Sequence, residues 1–213
     1  MPPRQRRLFP RLSVPSAKPA RTRAAQSRAA IYVVKVTLLG SKPPIWRRVG
    51  VPPDITLAKL HDVLQVVMGW EDCHLHMFTS RDQQRYGTID GEAGAGWDDD
   101  LHDETKARLR DLLHKPKDRC VYEYDFGDSW EHRLELEKAV GPEAGVRYPA
   151  CLAGKRACPP EDCGGVWGYA NMLHALADPE HPEHADRREW IGGKFDAEAL
   201  NLEKISAALR RLR

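Results

Sequence analysis

Between Cys120 and Glu137 large and polar side chains alternate, with Tyr122, Tyr124, Phe126, Trp130, His132 and Leu134 all at even positions. A period of two is the signature of strands with one buried face, and Gly127-Asp128-Ser129 supplies the residues of a turn. The segment reads as a hairpin. With those three residues as the turn, Phe126 lies opposite Trp130, Tyr124 opposite His132 and Tyr122 opposite Leu134, which gathers the rings on one sheet face. A two-residue turn would mix the faces. The same register sets Asp125 opposite Glu131, an unfavourable pair unless solvent, a cation or a basic side chain intervenes, and Arg133 across from Glu123 is such a neighbour.

A hairpin with one apolar face needs covering layers, and the flanking sequence supplies them. Ile31 to Leu39 and Ile45 to Val51 read as strands separated by Gly40-Ser-Lys-Pro-Pro44. Leu57, Leu60, Leu64 and Val67 recur at helical spacing after a cap at Asp54 or Thr56, and Gly69 provides the stop. His74–Phe78 and Gln84–Ile89 read as two more strands, with a turn around Arg81-Asp82. The acidic, glycine-containing stretch Asp90 to Asp100 reads as a loop, and Asp103 to Leu113 as a helix with Leu109, Leu112 and Leu113 inward. Beyond Gly164-Gly165, a helix marked by Trp167, Ala170, Leu173, Leu176 and Ala177 ends near Asp178-Pro179. Two more follow, roughly Glu183 to Ile191 and Leu202 to Leu212. The expected class is α+β, a mixed or antiparallel sheet with helices packed on it and a helical C-terminal third.

Charge is segregated along the 213 residues. Residues 1–30 carry eight Arg or Lys and no acid, which leaves 25 basic against 31 acidic residues, about −6, in the rest. The opening stretch, rich in Pro, Ser, Ala and Arg, lacks the periodicity of a packed element. Residues 1–29 are therefore expected to be a disordered basic tail, and residues 30–213 one globular domain. The tail suits a nucleic-acid arm, with Arg4, Arg6, Arg7 and Arg11 as phosphate contacts, an organellar presequence, or a plain solvated extension. Arg47 and Arg48 are candidate phosphate contacts in the domain. The acidic balance of the domain opposes broad nonspecific DNA binding, so a protein partner competes with DNA. No apolar run is long enough for a membrane span, and five cysteines in an odd, clustered set suit reduced thiols in a cytoplasmic setting.

Cys151, Cys158 and Cys163 are separated by six and four residues, in what reads as a loop stiffened by Pro159-Pro160 and ended by Gly164-Gly165. Thiolate and imidazole are zinc ligands, and a structural zinc site closes with four of them. His74 and His76, two apart on a strand, project from the same face and are candidates to complete such a set; His132 is another. Equally, a cysteine can serve as a small buried residue and a strand histidine can bond to the backbone. Asp125 or Asp128 with His132 would make a carboxylate–imidazole pair for hydrolysis, though the same acids also serve as turn residues.

Pro44-Ile-Trp-Arg-Arg-Val, Thr56-Leu-Ala-Lys-Leu-His61, Met68-Gly-Trp-Glu-Asp-Cys-His-Leu-His-Met-Phe78, Tyr122-Glu-Tyr-Asp-Phe-Gly-Asp-Ser-Trp-Glu-His132, Cys158-Pro-Pro-Glu-Asp-Cys-Gly-Gly165 and Gly168-Tyr169 occur in order. Across roughly residues 31–210 the chain resembles the plasmid pRiA4b ORF-three-like family, also described as insertion-sequence passenger proteins of the TnpR type. The resemblance implies a compact α+β domain linked with plasmids and mobile elements, and it does not imply resolvase activity. The resulting expectation is a non-catalytic accessory or interaction module, built around a structural zinc and binding DNA or protein. The rival is a metal-dependent hydrolase of nucleic acid or a small phosphoester.

Overall fold

A computed structural model of the chain describes residues 30–89 and 100–212. Eight strands form one sheet in the order β5-β4-β3-β6-β7-β1-β2-β8. They are β1 (Ile31–Leu38), β2 (Trp46–Val51), β3 (His76–Thr79), β4 (Arg85–Gly87), β5 (Leu101–Asp103), β6 (Arg119–Tyr124), β7 (Trp130–Val140) and β8 (Ala150–Lys155). Every pairing is antiparallel except β4 with β5, so the sheet is mixed. The helices among the described residues are α1 (Leu57–Met68), α2 (Leu109–Leu112), α3 (Gly165–Ala177), α4 (His184–Trp190) and α5 (Leu202–Leu209). The protein is thus α+β, and the expected basic tail lies outside the described residues.

Alternation decides the two faces of the sheet. On β7, Trp130, His132, Leu134 and Leu136 are buried, while Glu131, Arg133, Glu135 and Glu137 point the other way. Val34, Val36 and Leu38 of β1 and Tyr122 and Tyr124 of β6 join the buried side. The opposite face carries an ion-pair ladder, including Arg48 with Glu137 and Arg119 with Glu135. An antiparallel sheet with one solvated face shows this pattern.

Helix α1 covers the apolar face because Leu57, Leu60, Leu64 and Val67 fall on one stripe and are essentially inaccessible. Each buried leucine of this kind stabilises the fold by about 2 kcal/mol. Thr56 Oγ1 accepts from Lys59 N at 3.3 Å, and Gly69 closes the helix at φ 88 with its N–H on Gln65 O. Only a residue tolerant of that left-handed backbone ends the helix so tightly.

Four expectations need correction. The hairpin pairs Tyr124 with Trp130, Tyr122 with His132 and Cys120 with Leu134, two residues from the expected register. Its connection runs from Asp125 to Ser129, both with positive φ, and Ser129 N bonds to Asp125 O at 2.6 Å. A two-residue shift preserves the faces, so the rings still share one side. The opposed acids become Glu123 and Glu131, Ser129 Oγ donates to Glu123 at 2.7 Å, and Arg133 faces Val121.

Residues 103–113 do not form one helix. Asp103 Oδ1 accepts from Thr105 N at 2.9 Å, an Asx turn that ends β5 and competes with helix initiation. Only the single turn α2 is helical, although Leu109, Leu112 and Leu113 are buried as expected. The start of the cysteine segment is not loop: Cys151 lies in edge strand β8. Finally, α3 buries Tyr169, Met172 and Ala175 and leaves Trp167 83% exposed.

A candidate metal centre where three loops meet

Past Gly69 the chain leaves α1 and runs over the end of the hairpin before entering β3. Aromatic packing fixes that route. The Trp70 ring stacks on Tyr124 at 5.1 Å between centroids and lies 5.8 Å from Trp130, while its Nε1 donates to Pro159 O at 3.0 Å. The indole therefore ties the α1–β3 connection to both the hairpin and the cysteine segment. Tyr124 OH accepts from Cys73 N at 3.0 Å and donates to Glu161 at 2.5 Å. Burial and the adjacent Glu161 push the Tyr124 phenol well above its ordinary range, which keeps it a donor.

On this platform His74 meets two carboxylates from different loops. His74 Nε2 lies 3.3 Å from Asp162 Oδ1 and 3.7 Å from Asp125 Oδ2. The ligand atoms of the three side chains all lie within 4.8 Å of one another. His74 Nε2 is enclosed yet has no partner at hydrogen-bonding geometry. Asp125 is 7% exposed, and its other oxygen accepts from Gly127 N at 3.0 Å. Both Asp125 and Asp162 have left-handed backbones, at φ 57 and φ 58. Cys73 and Glu161 form a second group with His74.

Alongside runs a histidine–acid network. His61 on α1 bonds through Nδ1 to Tyr122 OH at 2.8 Å and through Nε2 to Asp72 at 2.7 Å. Its ring stacks on His76, which bonds to Glu104 at 2.7 Å. Burial, and then the neighbouring His76, lowers the His61 pKa, while Asp72 opposes that shift. Both nitrogens of His61 are already occupied, so this network is better suited to orienting the loop than to taking a ligand.

The structure brings His74 and Asp125 together but distributes the other candidates. A third group among the described residues is His61 with Asp62 and Asp72, and none of the three contains Cys151, Cys158, Cys163 or His76. Cys158 lies 3.1 Å from Arg47 Nη2 and 3.5 Å from Met68 Sδ, Cys151 donates weakly to Ala153 O, and Cys163 is buried with its thiol pushed up to about 12. Asp128 Oδ2 accepts from Gly164 N at 3.0 Å, latching the cysteine segment to the hairpin. His132 is fully buried in the sheet, and burial lowers its pKa to about 4. Asp125, Asp128 and His132 thus occupy three separate environments. Arg47 faces inward, Arg48 is bonded to Glu137 at 2.5 and 2.8 Å, and Arg4, Arg6, Arg7 and Arg11 lie outside the described residues.

Asp162, Glu161, Cys73, His61, Asp72 and Glu104 were not legible as site residues. Asp162 and Glu161 stand inside the Cys158–Cys163 bend, where the cysteines draw attention from them. Glu104 is separated in sequence from its partner His76 and reaches it only through the β3–β4–β5 pairing.

The comparisons with known proteins agree with one another. The uncharacterized protein y4hQ of Sinorhizobium fredii is 41% identical over 186 residues, covering 85% of this chain and 91% of that protein. The crystal structure of a protein of unknown function, MM3350 from Methanosarcina mazei Go1, matches with a TM-score of 0.74 and 41% identity, over 83% of this chain and 98% of the other. The family described as plasmid pRiA4b ORF-3-like protein matches residues 30–204. The protein belongs to the plasmid pRiA4b ORF-3-like family.

Proposed function

We propose that the protein is a metal-dependent accessory module in which His74, Asp125 and Asp162 hold a divalent transition-metal ion that fastens the cysteine segment to the hairpin. The observation that carries this reading is the unpartnered His74 nitrogen facing two carboxylates at 3.3 and 3.7 Å. Ligands about 2.1 Å from a tetrahedral zinc lie about 3.4 Å from one another, so these separations match the edges of a coordination shell. One imidazole and two carboxylates suit zinc or manganese rather than a soft monovalent ion. The left-handed backbones of Asp125 and Asp162 add support, since strained non-glycine residues collect at ligand sites.

Metal analysis of tag-free protein, followed by calorimetric titration of the chelated protein with Zn²⁺ and Mn²⁺, tests the proposal. His74→Ala, Asp125→Asn and Asp162→Asn are each expected to weaken binding by at least about tenfold. Cys158→Ser and Cys163→Ser should leave it unchanged. Loss of binding with the cysteine variants alone would show that the thiols are the ligands and reject this assignment.

A second reading is favoured by the 70% exposure of the Asp162 side chain, which leaves one side of the centre toward solvent. Three protein ligands with an open position are the arrangement of a hydrolytic site, in which a bound water becomes the nucleophile. Hydrolysis of bis(p-nitrophenyl) phosphate that depends on added metal and vanishes in Asp162→Asn would select it. A metal-loaded protein inert toward that ester would leave the accessory role.

A further inference from the structure

Arg47 projects from β2 and is 2% exposed. Its Nε donates to Val67 O at 2.8 Å, and its Nη1 donates to Trp46 O at 2.9 Å and Lys155 O at 3.1 Å. Nη2 has a single acceptor, the sulfur of Cys158 at 3.1 Å. No carboxylate of the described residues comes within 4.0 Å of the guanidinium. Burial holds the Cys158 thiol up at about 11, so at neutral pH it is a neutral S–H and a weak acceptor. The molecule thus encloses a positive charge without its counter-ion, a costly arrangement in a low-dielectric interior.

Local sequence makes that placement possible. A Cβ on Gly154 would stand 2.9 Å from Arg47 Cδ and 2.9 Å from Leu200 Cδ2, so glycine leaves the lane in which the side chain lies. Three backbone carbonyls then fix Nε and Nη1, and Nη2 is the end without a strong partner. Arg47 and Cys158 line a cleft of about 500 Å³ between the end of α1 and helix α5. Its other walls include Val66, Leu200, Ile205 and Ala208, and the exposed Lys204 stands on its border. A cleft of this size with apolar walls and one converging charge has the dimensions of a small-molecule site.

We propose that this cleft binds a monocarboxylate with an apolar body, its carboxylate on Arg47 Nη2 beside Cys158 and its body along Leu200, Ile205 and Ala208. One buried positive charge matches one negative charge. Nη2 offers at most two N–H groups, one of them directed at Cys158, which suits a carboxylate, whereas a phosphate dianion would find only Asn201 and Lys204 for its further oxygens and apolar walls elsewhere. None of the residues of the His74 centre takes part, although Cys158 belongs to the segment that the metal would fasten.

The experiment is calorimetric titration of the full chain with acetate, hexanoate, hexanamide and inorganic phosphate. Hexanoate is expected to bind saturably at one site, at least about tenfold tighter than acetate through its added apolar area and at least about tenfold tighter than hexanamide through its charge. Ala208→Trp, which fills the cleft from the α5 side, should reduce hexanoate affinity at least about tenfold at unchanged circular dichroism. Arg47→Gln should do the same where it folds. The proposal is overturned by no saturable binding, by equal affinity for hexanoate and hexanamide, by phosphate competing as well as hexanoate, or by unaltered binding in Ala208→Trp.

Discussion

The imidazole of His61 stacks on that of His76 with centroids 3.5 Å apart and 7° between their planes. Two protonated rings would repel one another at that distance, and His61 is the one that burial holds toward the neutral form. Its lone pair and its N–H are shared between Tyr122 and Asp72, so the neutral ring links α1 to β6 and to the loop that carries His74.

Stability should fall as the solution is acidified. His61 and His132 both have folded-state pKa values below the ordinary 6.5, with His132 at about 4. Between those pH values the unfolded chain binds more protons than the folded one, so the stability present above pH 6.5 is lost as the pH falls toward 4. For His132 the loss is on the order of 3 kcal/mol. Urea unfolding of wild type and His132→Leu at pH 7.5, 6 and 5 checks this: the variant should show a shallower decline. The variant should also gain about 1 kcal/mol at pH 7.5, because neither ring nitrogen of His132 has a partner at hydrogen-bonding geometry in the core. Parallel declines in the two proteins would remove His132 from the account.

Gly168 should not tolerate a side chain. A Cβ there would lie 2.0 Å from Cys163 O, a backbone atom that cannot yield without moving the cysteine segment. Gly168→Ala is expected to cost about 3 kcal/mol in thermal unfolding. Gly141→Ala is the control, because nothing lies within 4 Å of the new carbon, and it should change stability by less than about 0.5 kcal/mol.

Arg48 and Glu137 form a two-bond pair on the solvated sheet face, and each shifts the other's pKa toward the charged form, mainly through the hydrogen bond. Because both side chains remain partly exposed, Arg48→Ala should cost only about 1 kcal/mol. The difference should shrink in 1 M salt, as chemical denaturation with urea at two ionic strengths would reveal. A salt-independent loss would point instead to its contact with the Trp46 ring.

Cysteine reactivity should separate into one accessible thiol and a protected remainder. Cys73 is exposed, Cys158 is half-buried, and Cys120, Cys151 and Cys163 are buried. Partial desolvation raises the Cys73 thiol above its ordinary pKa, with hydrogen bonding and the charge of Glu161 also acting on it, so its labelling should accelerate on the alkaline side of neutrality. A disulfide reagent at pH 8 should modify one thiol rapidly, and Cys73→Ser should abolish that phase. A persistent fast phase in the variant would identify Cys158 as the accessible group.

The sequence discloses those elements whose cause is local. Helix α1 was legible because its apolar stripe and its Gly69 stop are local, although the sequence offered Asp54 or Thr56 as the cap and the structure uses Thr56. The face of the hairpin was legible too, since alternation fixes sides whatever the turn. Its register was not, because the left-handed Asp125 and Ser129 extend the connection, and neither residue type demands that backbone. Strand β5 has three residues and is specified by its partner β4, and β8 has small residues with no alternation to read. His74 and Asp125 were visible as metal- or acid-type residues. That Asp162 joins them depends on Trp70, Tyr124 and Asp128 docking a distant segment, which no spacing records.

Trp70 turns that docking into something that can be watched. Its indole is stacked on Tyr124 and hydrogen-bonded to the backbone of Pro159, so in a variant that keeps Trp70 as the single tryptophan of the six, emission would report whether the cysteine segment is seated on the hairpin. Such a variant would carry an optical gauge at a seam between segments 89 residues apart in sequence, with no attached dye.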